Sequence, residues 1–225
     1  MSVASRQAAR QLISSALESF EFELHAHQID RLVDYAELVI RWNQHANLTG
    51  AQDARSFVRE HIIDSLSVVP HIRESNIADI GSGVGLPVVV LAVCRPEVMV
   101  TAVEPRAKRH RFLTQSVIEL GLENLTVAGV RAEQLDRSEV YEGIISRAVA
   151  RFDHLLTMAA PLVAEGGRVM AMKAVLSEEE IDASLRFGGA LTRIALSVPG
   201  FARRELVVWR SERAGESQPG GADMP

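Results

Sequence analysis

Apolar and small residues recur at three- and four-residue steps through the first third of the chain, at Leu32, Tyr35, Ala36, Val39 and Trp42, and again at Val58, Ile62, Ser65, Leu66 and Val69. That period places each set on one helix face. Helices are therefore predicted from Gln7 to about Ile72, punctuated by a turn at Asn47-Leu48-Thr49-Gly50. After Asn76 short apolar runs alternate with helix-period segments. Strands are predicted over Ile77–Ile80, Val98–Val103, Leu125–Ala128, Gly143–Ser146 and Arg168–Lys173; helices over Leu86–Cys94, Ala107–Leu120, a short turn near Glu133, and Phe152–Val163. Such alternation requires a parallel sheet covered on both faces. An acidic helix, Ser177–Phe187, then leads to Leu191–Val198 and Glu205–Trp209, which read as a hairpin closing the edge of a seven-stranded, mostly parallel sheet. The expected organisation is an N-terminal helical extension over 1–75 packed on an α/β domain over 76–210, with a disordered tail over 211–225 dominated by Gly, Glu, Ser, Pro and Asp.

With 225 residues, 47% of them hydrophobic, the chain can bury a core of ordinary size. It has no apolar run of about 18 residues, and its polar start Met1–Gln11 lacks the apolar region of a signal peptide, so a cytoplasmic protein with no membrane partner is expected. One cysteine, Cys94, excludes an internal disulfide framework and multi-cysteine zinc sites; it reads as a core residue. The net charge of −5 argues against coating nucleic acid by bulk attraction. It is unevenly spread: the residues up to Glu74 carry seven basic and ten acidic side chains, while Arg106, Lys108, Arg109 and Arg111 form a dense basic cluster.

The segment Asp79-Ile80-Gly81-Ser82-Gly83-Val84-Gly85-Leu86-Pro87 runs from a strand through glycines into an apolar helix. Glycines such as Gly81 and Gly83 permit a sharp turn and close approach of a ligand to the backbone. Glu104 ends the next strand about twenty residues on, where a carboxylate can accept hydrogen bonds from both hydroxyls of an adenosine ribose. The pattern indicates a nucleoside-containing cofactor. A dinucleotide fingerprint would carry its third glycine inside the helix; the spacing here favours S-adenosylmethionine. Asp79 either touches the ligand or supports the loop backbone.

Further strings make the chain similar to a known family: His45-Ala46-Asn47-Leu48-Thr49-Gly50, Arg59-Glu60-His61-Ile62-Ile63-Asp64-Ser65-Leu66, Glu104-Pro105 followed by Lys108-Arg109 and Arg111-Phe112-Leu113, Arg131-Ala132-Glu133, Ser146-Arg147-Ala148-Val149-Ala150, and Met172-Lys173. Together with the glycine loop they resemble the bacterial 16S rRNA guanine-N7 methyltransferases, also called glucose-inhibited division protein B, from about Ala36 to Lys173 and more faintly through Arg204–Val208. The resemblance implies a Rossmann-like class I methyltransferase fold, S-adenosylmethionine as cofactor, and 16S rRNA or the small ribosomal subunit as partner; a monomer is expected. It places Gly81 and Leu86 at the cofactor, Glu104 at the ribose, Ala132 and Glu133 at the adenine end and Arg147 beside the methionine portion. Asn47, Arg131, Lys173 and Arg204 match polar positions near the reaction cleft or RNA. The chain departs from the family at Leu86-Pro87-Val88, where glycine usually follows Pro, and at Lys173-Ala174, where Lys-Gly is common. A branched Val88 is expected near the cofactor loop.

Guanine N7 has a free lone pair, so no general base is needed, and alignment dominates methyl transfer. Ile145-Ser146-Arg147-Ala148 lacks the polar-Pro-Pro-aromatic segment of exocyclic-amine methyltransferases. The candidate catalytic set Asn47, Arg131, Arg147 and Lys173 is therefore assigned to positioning, and Arg106, Lys108, Arg109, Arg111 and Arg204 to RNA. His61 and Asp64 share a helical face without a third metal ligand and read as a hydrogen-bond network; no metal is expected. Trp42 reads as core, and Glu178-Glu179-Glu180 as a solvated helix start capped by Ser177. Alternatives are methylation of another RNA site or of a small molecule, and a cofactor-binding RNA module without catalysis; a nicotinamide oxidoreductase is more distant.

Overall fold

A computed structural model describes residues 2–138, 140–147 and 151–212. Its centre is a seven-stranded sheet in the order β3-β2-β1-β4-β5-β7-β6, with β1 Asn76–Ile80, β2 Met99–Val103, β3 Leu125–Ala128, β4 Tyr141–Arg147, β5 Val163–Lys173, β6 Ala190–Ala195 and β7 Glu205–Arg210. The first five strands are parallel, and β7 enters antiparallel between β5 and β6. The strand order reverses between β1 and β4. A parallel sheet opens a crevice at such a reversal, beyond the carboxyl ends of its strands.

The N-terminal residues form α1 Val3–Phe20, α2 Ala26–Ala46, α3 Ala54–Phe57 and α4 Ile63–Leu66, with a π-helical turn over Val58–Ile62 joining the last two. The predicted stripe holds: Leu32, Tyr35, Ala36 and Val39 are buried, whereas Trp42 at its end is only half-buried. These side chains share one continuous core with α5 Val88–Cys94, whose residues are all buried, and with the adjacent sheet face. Each fully buried Val or Leu there contributes about 1.5–3 kcal/mol. The opposite face is covered by α7 Phe152–Ala159 and α8 Glu178–Leu185, and α6 Ala107–Leu120 follows β2.

Several boundaries differ from expectation for local reasons. Pro161 tightens the chain into a 3-10 turn over Ala160–Leu162, ending α7 at Ala159, and Val163 already belongs to β5. β6 stops at Ala195 before the Pro199-Gly200 turn. Val98 precedes β2 rather than starting it. Ser211 and Glu212, the first residues of the expected tail, are tied to the body: Ser211 donates from its N–H to the Gly167 carbonyl at 3.0 Å, and Glu212 accepts from the Gly189 N–H at 2.9 Å. The rest of the expected tail, and Ala148-Val149-Ala150, lie outside the described residues. Among the described residues no helix is long and apolar enough to cross a membrane.

Candidate functional site

The turn after β1 is held from three sides. The N–H groups of Gly81 and Ser82 donate to the Val103 carbonyl at 2.9 and 3.2 Å, pinning the loop to the end of β2. Glu104, 3% exposed, accepts from the Gly83 N–H at 3.0 Å on one oxygen and from the Arg106 N–H at 2.9 Å on the other, with Arg109 3.8 Å away. Two backbone donors thus orient the carboxylate and leave its remaining lone pairs for a ligand. The third hold is Tyr35 of α2, which donates to the Val84 carbonyl at 2.6 Å. Sequence reading treated Tyr35 as core alone; its hydroxyl function carries no local signal.

Beside this loop lies a cleft of about 550 Å³, lined by loop residues 80–84 and Leu86, by Glu104, Pro105, Arg106 and Arg109, by Leu48, Thr49, Gly50 and His61 of the extension, and by Arg147. Gly81 has φ +74° and a Cβ there would meet nothing within 4 Å, so the position is an open cradle that a side chain would fill. Gly85 is different: with φ +97°, an added Cβ would sit 2.4 Å from Val89 Cγ2 and 2.9 Å from Leu113 Cδ2, so only glycine fits. An acidic acceptor at a strand end, an open glycine loop and a cleft of this size suit an adenosine-containing group.

Asp79 does not line the cleft. It is fully buried beneath the loop, and its main-chain carbonyl accepts from Ser82 Oγ at 2.8 Å. Burial outweighs the opposing pull of Ser82, the Val88 N–H and the Arg147 charge and pushes its pKa up to about 8, so it is mostly protonated at neutral pH. Val88 also departs from expectation: its side chain is fully buried in the core and lines no part of the cleft. Val88 therefore does not narrow the cleft.

Opposite the glycine loop, Asp64 is 5% exposed and pairs with two arginines: Arg204 Nε at 2.9 Å and Arg147 Nη1 at 3.4 Å. Arg147 ends β4; Arg204 precedes β7, whose Glu205 is in register with Lys173 at the end of β5. The network joining the helical extension to the sheet is therefore present at Asp64. Arg204 also stacks over Phe201, 4.2 Å from the ring centroid. His61, in the π-helical turn, lies 3.4 Å from Thr49 Oγ1, and burial together with the Arg147 charge lowers its pKa, keeping the imidazole neutral at neutral pH. Asn43 was missed by sequence reading. Its side chain accepts from the N–H groups of Leu48 and Thr49 at 2.6 and 2.9 Å and donates to the Thr49 carbonyl at 2.9 Å, shaping the turn that lines the cleft.

The other proposed site residues sit around this centre. Asn47 ends α2 in a left-handed conformation and is exposed next to the lining turn. Arg131 and Glu133 are exposed and Ala132 buried at the 3-10 turn after β3, on the same edge of the sheet but outside the cleft lining. Lys173 ends β5 with 10% of its side chain exposed, pairs with Glu180 and does not line the cleft. Glu180 corrects the picture of a solvated acidic helix start: Glu178 and Glu179 are exposed, but Glu180 is buried, accepts from the Phe152 N–H at 2.8 Å, and completes a capping box with Ser177. Burial opposes its ionisation, but hydrogen bonds from Lys173 and from the Phe152 and Ser177 N–H groups together outweigh it and lower its pKa to about 2. The basic cluster divides: Arg106 and Arg109 line the cleft, whereas Lys108 and Arg111 face α2. No group of three or more metal-ligating side chains occurs among the described residues.

A family model described as rRNA small subunit methyltransferase G matches residues 28–207. The protein named ribosomal RNA small subunit methyltransferase G from Marinomonas sp. strain MWYL1 is 40% identical over 181 residues, covering 80% of this chain and 87% of that protein. The protein of the same name from Methylobacillus flagellatus is 35% identical over 199 residues, covering 88% and 96%. Among solved structures, the S-adenosylmethionine-dependent methyltransferase SibL in its apo form shares the fold with a TM-score of 0.60 at 15% identity, over 90% of this chain and 74% of that one.

Proposed function

The chain belongs to the rRNA small subunit methyltransferase G family, and from that membership we propose that it transfers a methyl group from S-adenosylmethionine to N7 of a guanine in the 16S RNA of the small ribosomal subunit. The observation that carries the reading is the pairing of an open glycine loop with a buried Glu104 whose two oxygens are aimed by the Gly83 and Arg106 N–H groups. Gly81, Gly83, Leu86 and Glu104 would hold the cofactor, with Ala132 and Glu133 at its adenine end. When bound, the cofactor supplies an electrophilic methyl on a sulfonium. The chain acts in the cytoplasm, as a monomer, on 16S rRNA or the small ribosomal subunit; residues 1–75 form its helical extension and 76–210 its catalytic domain.

Guanine N7 carries its lone pair at neutral pH, so no side chain need remove a proton. The residues at the cleft instead position and neutralise. Positive charge builds on the guanine ring as N7 is methylated, and an unpaired Arg147 beside it would oppose that charge. Asp64 offsets Arg147 and Arg204 together, leaving both able to hold RNA phosphates or guanine O6 while reducing their net field. Neutral His61 adds a polar group without adding charge. Asn47, Arg131 and Lys173 serve as positioning residues at the rim.

Labelled methyl groups from S-adenosylmethionine test this on small subunits whose 16S RNA is unmodified. Incorporation that depends on the chain and is lost in Glu104→Ala supports it. Transfer to free nucleosides or small molecules with none to the particle contradicts it.

A further inference from the structure

We propose that the groove between α2 and α6 is a second RNA subsite, holding one unpaired nucleotide of the ribosomal RNA beside the methylated guanine; it rests on the RNA substrate argued above and extends it to a surface outside the cofactor cleft. The groove is about 440 Å³ and is lined by Arg41, Trp42, His45, Ala46, Lys108 and Arg111. Its floor is apolar and its rim carries three permanent cations and an imidazole, with no carboxylate among the lining residues, in a chain whose net charge is −5. Glu119 on α6 takes one of those cations, Arg41, into an exposed pair and leaves the groove itself positive.

Trp42 is half-buried and fixed: its ring meets Phe112 edge-on, 5.6 Å between centroids at 73°. An aromatic surface held rigid beneath a cationic rim fits a stacked base with its phosphate, a combination that tolerates any base and recurs in single-strand sites. Lys108 and Arg111, three residues apart, share one face of α6. Arg106, the N-cap residue just before α6, and Arg109 in its first turn both line the cofactor cleft. One strand crossing the start of α6 therefore meets both pairs, with the target base in the cleft and a neighbour on Trp42.

Fluorescence titration with a ten-nucleotide single-stranded RNA reads the subsite directly, because Trp209, the second of two tryptophans, is buried in the sheet. RNA should quench Trp42. Trp42→Leu should weaken binding about tenfold while Trp42→Phe, which keeps a π-face, restores most of it. Lys108→Ala with Arg111→Ala should lower the slope of log affinity against log salt by about 0.7 for each lost phosphate contact. Calorimetry with S-adenosylmethionine reports folding of each variant; where Trp42→Leu fails to fold, the exposed Lys108 and Arg111 pair carries the test. Absence of quenching, equal behaviour of the Leu and Phe variants, or an unchanged salt slope overturns the subsite. Weaker binding to the small subunit with unchanged oligonucleotide affinity also overturns it, assigning the groove to a ribosomal protein. If the unaltered chain methylates small subunits while these tests fail, only the subsite falls; if it methylates no ribosomal particle, the reading beneath it falls.

Discussion

Tyr35 donates a 2.6 Å hydrogen bond to the carbonyl of Val84, joining the second N-terminal helix to the glycine loop. The phenol is fully buried, and burial pushes its pKa well above the ordinary range, so it remains a donor at any working pH. Through this bond the helical extension sets the shape of the cofactor loop. Tyr35→Phe leaves a buried carbonyl unpaired, at about 1–3 kcal/mol. Calorimetry should show S-adenosylmethionine affinity reduced about fivefold, with a lowered melting temperature; unchanged affinity would detach the loop from the extension. Gly85→Ala should be worse, because its Cβ has no room.

Glu104→Gln replaces a carboxylate oxygen with an amide donor facing either the Gly83 or the Arg106 N–H. One of those backbone donors then loses its acceptor, and the ribose loses a charged acceptor. Cofactor affinity is expected to fall more than tenfold. Equilibrium dialysis with labelled cofactor checks this, and affinity within a factor of two of the parent would remove Glu104 from the site.

Asp64→Asn keeps the shape of the side chain but removes the charge that offsets Arg147 and Arg204. With two uncompensated guanidinium groups beside the developing positive charge, kcat on small subunits should drop by about tenfold or more. KM for the particle should hold or fall, since the arginines remain available to phosphate. Steady-state kinetics separates the two, and a higher KM at unchanged kcat would assign the network to RNA binding alone.

Asp79 yields a pH signature. Its pKa is raised from 3.8 unfolded to about 8 folded, so between those values the unfolded chain is ionised while the folded chain is protonated. The stability it permits is fully present below about pH 4 and is lost as pH rises through about 8, by up to about 1.4 kcal/mol per pH unit. Asp79→Asn should flatten that fall. Denaturant unfolding across this range checks it: parallel profiles for the two proteins would show Asp79 to be ionised in the fold.

The glycine loop and Glu104 were legible because strand, turn, helix and acid are consecutive in the chain, and each has a local signature. The order of the strands was legible for the same reason; their ends were less so, with β4 starting at Tyr141 rather than Gly143 and β5 at Val163 rather than Arg168, ahead of Gly166-Gly167. Long-range pairings left no such trace. Asp64 meets Arg204 across 140 positions, and nothing in either neighbourhood specifies the partner. Glu180 stands in an acidic run that resembles a solvated face, and only the packing of α8 against α7 turns it inward, onto the Phe152 N–H and Lys173. Tyr35 and Trp42 share one stripe with ordinary core residues; what sets them apart is the loop above the first and the basic helix beside the second.

Methylation of guanine N7 in 16S RNA is read out by mass mapping of 16S RNA from cells lacking the gene, before and after incubation of their small subunits with the purified chain and S-adenosylmethionine. One guanine should be unmethylated beforehand and carry N7-methylguanine afterwards, with no gain when Glu104→Ala is used. An unchanged N7-methylguanine content, or a methyl group on another atom or base, would contradict it.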